Sequence, residues 1–365
     1  MSILKYRKEI ENISPYVPAK SIEKIKAEYD LDTIVKLSAN ENTMGCSPLA
    51  EEAIKEAIKN IYLYPDGNCT KVRQKLAKIN NIREDQIIFG NGSFELIALL
   101  AETFINASDE SIIPEPTFKW YKVVTLAMGG KVVTVPLKNN AIDLNEVKNK
   151  ITDKTKIMWL CNPNNPTGTI FGKSELEHFL NSIPKDIIVV LDEAYSDFNT
   201  SASYPDSIAL IEKYPNIISL RTFSKIYGMA SLRVGYGISN PEMISYINRI
   251  RIPSNVNRLA QAAAAASLED EDFKNAVLEN NYKGKQFLYK AFDEMNLEYI
   301  SSETNFVMVN VVKDGVEVVN ELLKTGLYLR SGKEFNMPTW LRITIGKEEE
   351  NKLVVEGLKK VLKTK

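Results

Sequence analysis

Short runs of apolar, β-branched residues recur through the middle of the chain, at 86–89, 110–113, 131–135, 156–160, 187–191, 217–220 and 234–238. Between most of them lie stretches with apolar residues every three or four positions, as at 93–104, 118–128 and 173–181. Strand-like runs alternating with helical patterns predict an α/β fold around a mostly parallel sheet. The runs show little alternation of polar with apolar residues, as expected of strands covered by helices on both faces. Beyond residue 258 the rhythm changes. Helical patterns at 259–268 and 272–295 come first, the second a connector out of the large domain. Strands at 298–300, 305–312 and 340–345, with helices at 315–325 and 348–362, predict a smaller α+β domain. Ahead of residue 45 the one strong helical pattern is 21–29, and this arm is expected to pack on the small domain or on a neighbouring subunit. The predicted division is an arm belonging partly to the small domain (1–44), a large domain (45–268) and a small C-terminal domain (269–365).

Composition mainly excludes. Lys plus Arg (46) nearly cancel Asp plus Glu (47), so no global field favours nucleic acid or an anionic membrane. An apolar fraction of 44% is that of a globular protein with a substantial core. The first residues, MSILKYRKEIENI, hold no apolar leader, and no run approaches a membrane span. Cys46, Cys69 and Cys161 are scattered and odd in number, which reads as free thiols in a reducing cytoplasm. His178 is the one histidine, inside a helical pattern where a solvated position is its ordinary home. A Ser-His-Asp triad would have to use it, and a His-rich zinc site cannot be built, so no metal is expected. Chemistry must come from Lys, carboxylates, Tyr and Arg.

The run RTFSKIYGMASLR, directly after the strand 217–220, concentrates such groups: Thr222, Ser224, Lys225 and Arg233. Two hydroxyls and a guanidinium make a phosphate cradle, and an amine beside them suits a Schiff base with an aldehyde carrying that phosphate. Pyridoxal phosphate is such an aldehyde, and it also needs a carboxylate opposite its ring nitrogen. Asp192, in DEAY at the end of the strand 187–191, could supply one; a buried carboxylate there is costly unless it meets a cation. Gly90-Asn91-Gly92-Ser93 opens a helix with small residues whose amides could close on a phosphate. NPNNPTG (162–168) follows the strand 156–160, at the strand end where α/β sheets bind ligands. Phe118, in PTF, could stack on a flat ring. Each has an ordinary reading too: a helix-capping Asp, glycines that end a strand, a tight Asn-Pro turn, a core Phe.

Their joint order resembles the fold-type I pyridoxal-phosphate enzymes, in particular the histidinol-phosphate aminotransferase family. The likeness covers nearly the whole chain, from SPYVP (14–18) and LSANEN (37–42) through YPDG (64–67), GNGS, PTF, NPNNPTG, DEAY and RTFSK. It continues through LRVGY (232–236), NVN (255–257), NF (305–306) and LRITIG (341–346). The resemblance implies a large domain with a mostly parallel seven-stranded sheet between helices. It implies Lys225 as the Schiff-base lysine and proton carrier, and Asp192 on the ring nitrogen. Asn165 and Tyr195 would bond the phenolic oxygen and Phe118 would stack on the ring. Gly92, Ser93, Thr222, Ser224 and Arg233 would hold the phosphate, joined by Tyr64 from the partner of a homodimer with shared active sites. Arg342 would clamp the carboxylate of an amino donor, with Tyr16, Asn40 and Arg330 lining the substrate side. The partners implied are a small-molecule amino donor and a 2-oxo acid: histidinol phosphate with 2-oxoglutarate.

Three positions depart from the family pattern. Phe94 stands where an acidic residue is usual, Ser231 where the segment after the lysine has Gly, and Ser254 where PYNVN has Tyr. None touches the lysine, the aspartate or the arginines. Two other activities on this scaffold stay open: aromatic amino-acid transamination, suited by Phe94 and Ser254, and threonine-phosphate decarboxylation, where Arg330 and Arg342 could serve two anionic ends.

Overall fold

In the computed structural model, which describes residues 5–18 and 20–363, a short strand β1 (Val35–Lys36) precedes seven longer ones. These are β2 (Ile87–Gly90), β3 (Glu110–Glu115), β4 (Lys131–Pro136), β5 (Thr155–Cys161), β6 (Ile188–Asp192), β7 (Ile217–Thr222) and β8 (Gly235–Ser239). Each predicted run falls on one of them, with ends shifted by one or two residues. They form one sheet in the order β2-β8-β7-β6-β5-β3-β4. Strands β4, β3, β5, β6 and β7 pair in parallel, and β8 runs antiparallel to both β7 and β2. The segment joining β7 to β8 holds no α-helix to carry the chain back across the sheet, so β8 returns antiparallel.

Side chains alternate between the two faces of each strand, and both faces are buried here. Val189 and Leu191 of β6 belong to one apolar cluster, Ile188 and Val190 to another. Double coverage is why β6 reads as IVVL rather than as an alternating strand. The edge strand β4 departs from this expectation: Lys131, Thr134 and Pro136 are exposed, and among the described residues no strand pairs with its outer edge.

A third cluster joins Leu288 and Phe292 to Val307, Leu322, Leu341 and Ile343. Its sheet has the order β12-β13-β10-β9, formed by β9 (Tyr299–Ile300), β10 (Phe306–Asn310), β12 (Arg330–Ser331) and β13 (Trp340–Thr344). The remaining strand, β11 (Leu327–Tyr328), pairs in parallel with β1, and Leu37 is buried in the same cluster. The helix Glu271–Glu294 runs between the cores, with Val277 in a large-sheet cluster and Leu288 in the third. Residues 35–37 thus pack on the third cluster, whereas residues 7–12 lie elsewhere. The turn Lys8–Asn12 lies against the helix Trp120–Ala127, and Arg7 Nη2 donates to Ala127 O at 2.7 Å. Helices Pro48–Ala57 and Thr70–Asn80 add to the large domain, the first capped by Ser47, which accepts from the amides of Leu49 and Ala50. Among the described residues no helix is long and apolar enough to cross a membrane, and no group of His, Cys, Asp and Glu could hold a metal ion.

Candidate active site

The site grows from the carboxyl ends of the parallel strands. Thr222 closes β7 and the chain turns through Phe223, Ser224 and Lys225; buried Phe223 and Ile226 pin this turn on both sides. Ser224 N donates to Thr222 Oγ1 at 3.1 Å, and Arg233 Nη1 donates to Ser224 Oγ at 3.4 Å. Gly92 lies opposite, with φ +75°; a Cβ there would stand 2.5 Å from Arg233 Nη2, so a glycine is what lets the guanidinium approach. A Cβ on Gly235 would meet Ser93 N at 2.3 Å. Ser93 begins the helix Ser93–Phe104, whose first amides have no partner within the helix. Hydroxyls, free helix amides and a guanidinium therefore share one small concavity, a chemistry that fits a phosphate.

Beside this cradle, Lys225 Nζ donates to the carbonyls of Asn40 at 3.1 Å and Ala39 at 3.3 Å. Burial, and next the charge of Arg342, push the amine down to about 8. Its Nζ also lies 5.5 Å from the centre of the Tyr195 ring. Tyr195 Oη accepts from Asn40 Nδ2 at 2.9 Å and from Asn165 Nδ2 at 3.5 Å, and burial pushes the phenol up to about 12. Asp192 ends β6 with 5% exposure. Its Oδ1 accepts from Ala194 N and its Oδ2 from Tyr121 Oη at 2.6 Å. Burial raises its pKa, opposed chiefly by the Tyr121 hydroxyl.

Arg342 and Arg330 are register partners on β13 and β12. Arg342 is buried between the rings of Phe306 and Phe335, 5.5 and 5.3 Å from their centres. It donates to Asn165 Oδ1 at 2.6 Å and to Ser38 O at 3.0 Å, while its buried Nε has no partner. An orphaned, desolvated guanidinium N–H is costly, and a carboxylate would satisfy it. Arg330 Nε instead donates to Glu334 at 2.6 Å on a more open surface.

The structure thus brings Asn40, Asn165, Tyr195, Lys225 and Arg342 into one hydrogen-bonded network, with Asp192 near enough to act on the charge of Lys225, and Gly92, Ser93, Thr222, Ser224 and Arg233 as the cradle. Asn40, expected on the substrate side, also serves the inner network by bonding Tyr195 and receiving Lys225. Phe118 sits in an aromatic group with Tyr121 and Phe94, ring centres 5.6 and 6.5 Å away, and Phe94 meets Trp120 edge-on at 4.6 Å. Tyr16 is 75% exposed, close enough to Arg330 to act on its charge, and Tyr64 is 90% exposed. Tyr64 O accepts from Arg258 Nη2 at 2.7 Å. Ser254, read as facing substrate, lies against the Tyr64 loop, near Pro65 and Gly67. His178 is exposed on the helix Lys173–Asn181.

Sequence reasoning missed Tyr121 and the pair Glu193–Arg221. Glu193 Oε2 accepts from Arg221 Nη2 at 3.1 Å, Ser207 Oγ at 2.7 Å and Ser219 Oγ at 2.5 Å, at the ends of the strands bearing Asp192 and Thr222. The signal was present in each case: Tyr121 is three residues after Phe118, and Glu193 and Arg221 adjoin residues already singled out.

A model of the family described as aminotransferase class I and II matches residues 32–358. The chain is 48% identical over 98% of its length, and all of the relative's, to a histidinol-phosphate aminotransferase of Caldicellulosiruptor saccharolyticus. It resembles the crystal structure of histidinol-phosphate aminotransferase from Sinorhizobium meliloti in complex with pyridoxal-5'-phosphate, with a TM-score of 0.91 at 25% identity over 99% of this chain and 98% of that one. L-threonine-O-3-phosphate decarboxylase from Porphyromonas gingivalis is also similar, with a TM-score of 0.81 at 25% identity over 91% of this chain and 100% of that one.

Proposed function

The chain belongs to the class I and II aminotransferases, and from that premise we propose that it is a histidinol-phosphate aminotransferase using pyridoxal phosphate. The reaction is histidinol phosphate plus 2-oxoglutarate to imidazole-acetol phosphate plus glutamate. The observation that carries this reading is the full-length match at 48% identity to a relative of that name.

The residues present fit the cofactor: a cradle closed by Gly92 and Gly235, and a buried carboxylate and a low-pKa lysine at the carboxyl ends of two neighbouring strands. Bound pyridoxal phosphate supplies an aldehyde for the amino group and a ring that withdraws electrons from the substrate's alpha carbon. Gly92, Ser93, Thr222, Ser224 and Arg233 would hold the phosphate, Phe118 would lie against the ring, and Asp192 would face its nitrogen. Asn165 and Tyr195 would donate to the phenolic oxygen. Lys225, partly neutral near pH 7 because its pKa is about 8, would attack the aldehyde and later move the proton from the substrate's alpha carbon. Arg342 Nε and its fork would take the donor's carboxylate, and Arg330, with Tyr16 and Asn40, would line the far side of the substrate.

A homodimer with shared sites follows from the same reading. Ile58, Ile61, Tyr62, Leu63 and Tyr64 are all exposed, an apolar run that a second copy would cover, and the partner subunit's Tyr64 would then complete the phosphate site. Three free cysteines suit a cytoplasmic home.

Single-turnover amino transfer to the bound cofactor, compared for histidinol phosphate, phenylalanine, tyrosine and threonine phosphate, tests the substrate. Histidinol phosphate should react fastest. Preference for an aromatic amino acid, or release of carbon dioxide from threonine phosphate, would overturn the assignment.

A further inference from the structure

We propose that Tyr121 is a positioning residue for Asp192, fixing the carboxylate against the ring nitrogen of bound pyridoxal phosphate and keeping their shared proton on the ring. The inference rests on reading the pocket as a pyridoxal-phosphate site and on what Tyr121 touches. Its side chain is wholly buried at the start of the helix Trp120–Ala127. The ring lies face to face with Trp159 of β5, centres 5.2 Å apart and planes 10° apart, and meets Phe118 edge-on. A phenylalanine could make both contacts. The hydroxyl is what packing does not explain, because a buried hydroxyl is costly unless it is bonded, and Asp192 Oδ2 is its partner at 2.6 Å.

The bond has a fixed direction. Burial, and next the charge of Asp192, raise the Tyr121 phenol well above its ordinary pKa, so it keeps its proton and donates. Asp192 is gripped on both oxygens, Oδ2 by Tyr121 and Oδ1 by Ala194 N, which fixes the plane of the carboxylate. Of the other charges near Asp192, Glu193 pushes its pKa up and Lys225 pulls it down. Burial alone raises the proton affinity of Asp192, away from the ionised form that a protonated ring nitrogen would need opposite it. The Tyr121 hydroxyl is the largest influence against that, so it favours the charge distribution in which the ring stays protonated and electron-withdrawing.

The test is Tyr121→Phe, which keeps the ring contacts. Three quantities are compared with the wild type: the melting temperature of the cofactor-free protein, the dissociation constant for pyridoxal phosphate, and the nitrogen NMR shift of cofactor labelled at the ring nitrogen. Affinity should fall about tenfold to a hundredfold, the range for a hydrogen bond to a charged group, and the resonance should move toward the unprotonated position. In an Asp192→Asn background the same change should have little effect on affinity, since the two groups act as a pair. An unmoved resonance with unchanged affinity would reduce Tyr121 to packing, as would an equal loss in both backgrounds. If Tyr121→Phe does not fold, a fluorinated tyrosine at position 121 keeps the shape and strengthens the donor. The resonance should then stay at or beyond the wild-type protonated position, and a move the other way overturns the idea. A wild type that takes up no pyridoxal phosphate is a separate failure, of the pocket's assignment itself.

Discussion

At the scale of single residues the site works by holding groups away from their ordinary ionisation. Lys225 is the clearest case, its pKa lowered from 10.5 to about 8. The direction sets a pH dependence: below about 8 the protonated amine dominates, and each further unit removes roughly nine-tenths of the neutral form that can attack an aldehyde. The rate at which cofactor-free protein takes up pyridoxal phosphate covalently should therefore rise with pH and level off above about 8; a flat profile below that point would argue against a lysine-limited step. Lys225→Ala should remove both the covalent cofactor absorbance and transamination. Arg342→Ala should raise KM for glutamate and cost about 2–5 kcal/mol in kcat/KM, the range for truncating one partner of a buried charge pair. A similar loss for a substrate without a carboxylate would instead indicate a general collapse around Phe306 and Phe335.

At the scale of elements, β6 and β7 are fastened together exactly where they deliver Asp192 and Thr222, by Glu193 on one and Arg221 on the other. The Glu193 side chain is 1% exposed and that of Arg221 24%. Arg221→Ala leaves a buried carboxylate without its cation and should destabilise the fold by about 3–5 kcal/mol, read from chemical denaturation. Replacing both residues by apolar ones of similar size should cost much less. Loss of cofactor affinity should accompany the single change, because the strand ends that carry the site would no longer be held in register. The strands themselves were legible in the sequence: IVVL and IISL are continuous apolar runs because both faces are covered. Pairing across strands was not, since Glu193 and Arg221 are 28 positions apart and only the parallel register of β6 with β7 makes them neighbours.

At the scale of the whole molecule, the proposed homodimer would cover the exposed side chains of Tyr64 and the residues before it. Mixing Lys225→Ala with Tyr64→Ala, each inactive or nearly so alone, should restore about a quarter of wild-type activity after subunits exchange, because half of the dimers are mixed and each of those has one intact site. No recovery on mixing would place Tyr64 outside the partner's site. A charged residue at Leu63 should weaken the dimer, measured by sedimentation, and lower cofactor affinity with it.

The chain's pattern determined the α/β sheet and the order of its strands along the sequence, and local chemistry put Lys225 beside Thr222, Ser224 and Arg233. These are short-range properties: strand and helix periods, and groups within a dozen positions of one another. Tertiary structure decided what the lysine faces. Asn40 and Arg342 arrive from opposite ends of the chain, by way of β1 pairing with β11 and β13 lying beside β12. Tyr121 reaches Asp192 from 71 residues away, across neighbouring strands. A sequence fixes which groups are available; the basicity of the lysine and the grip on the aspartate depend on burial and on charges brought together only by the fold.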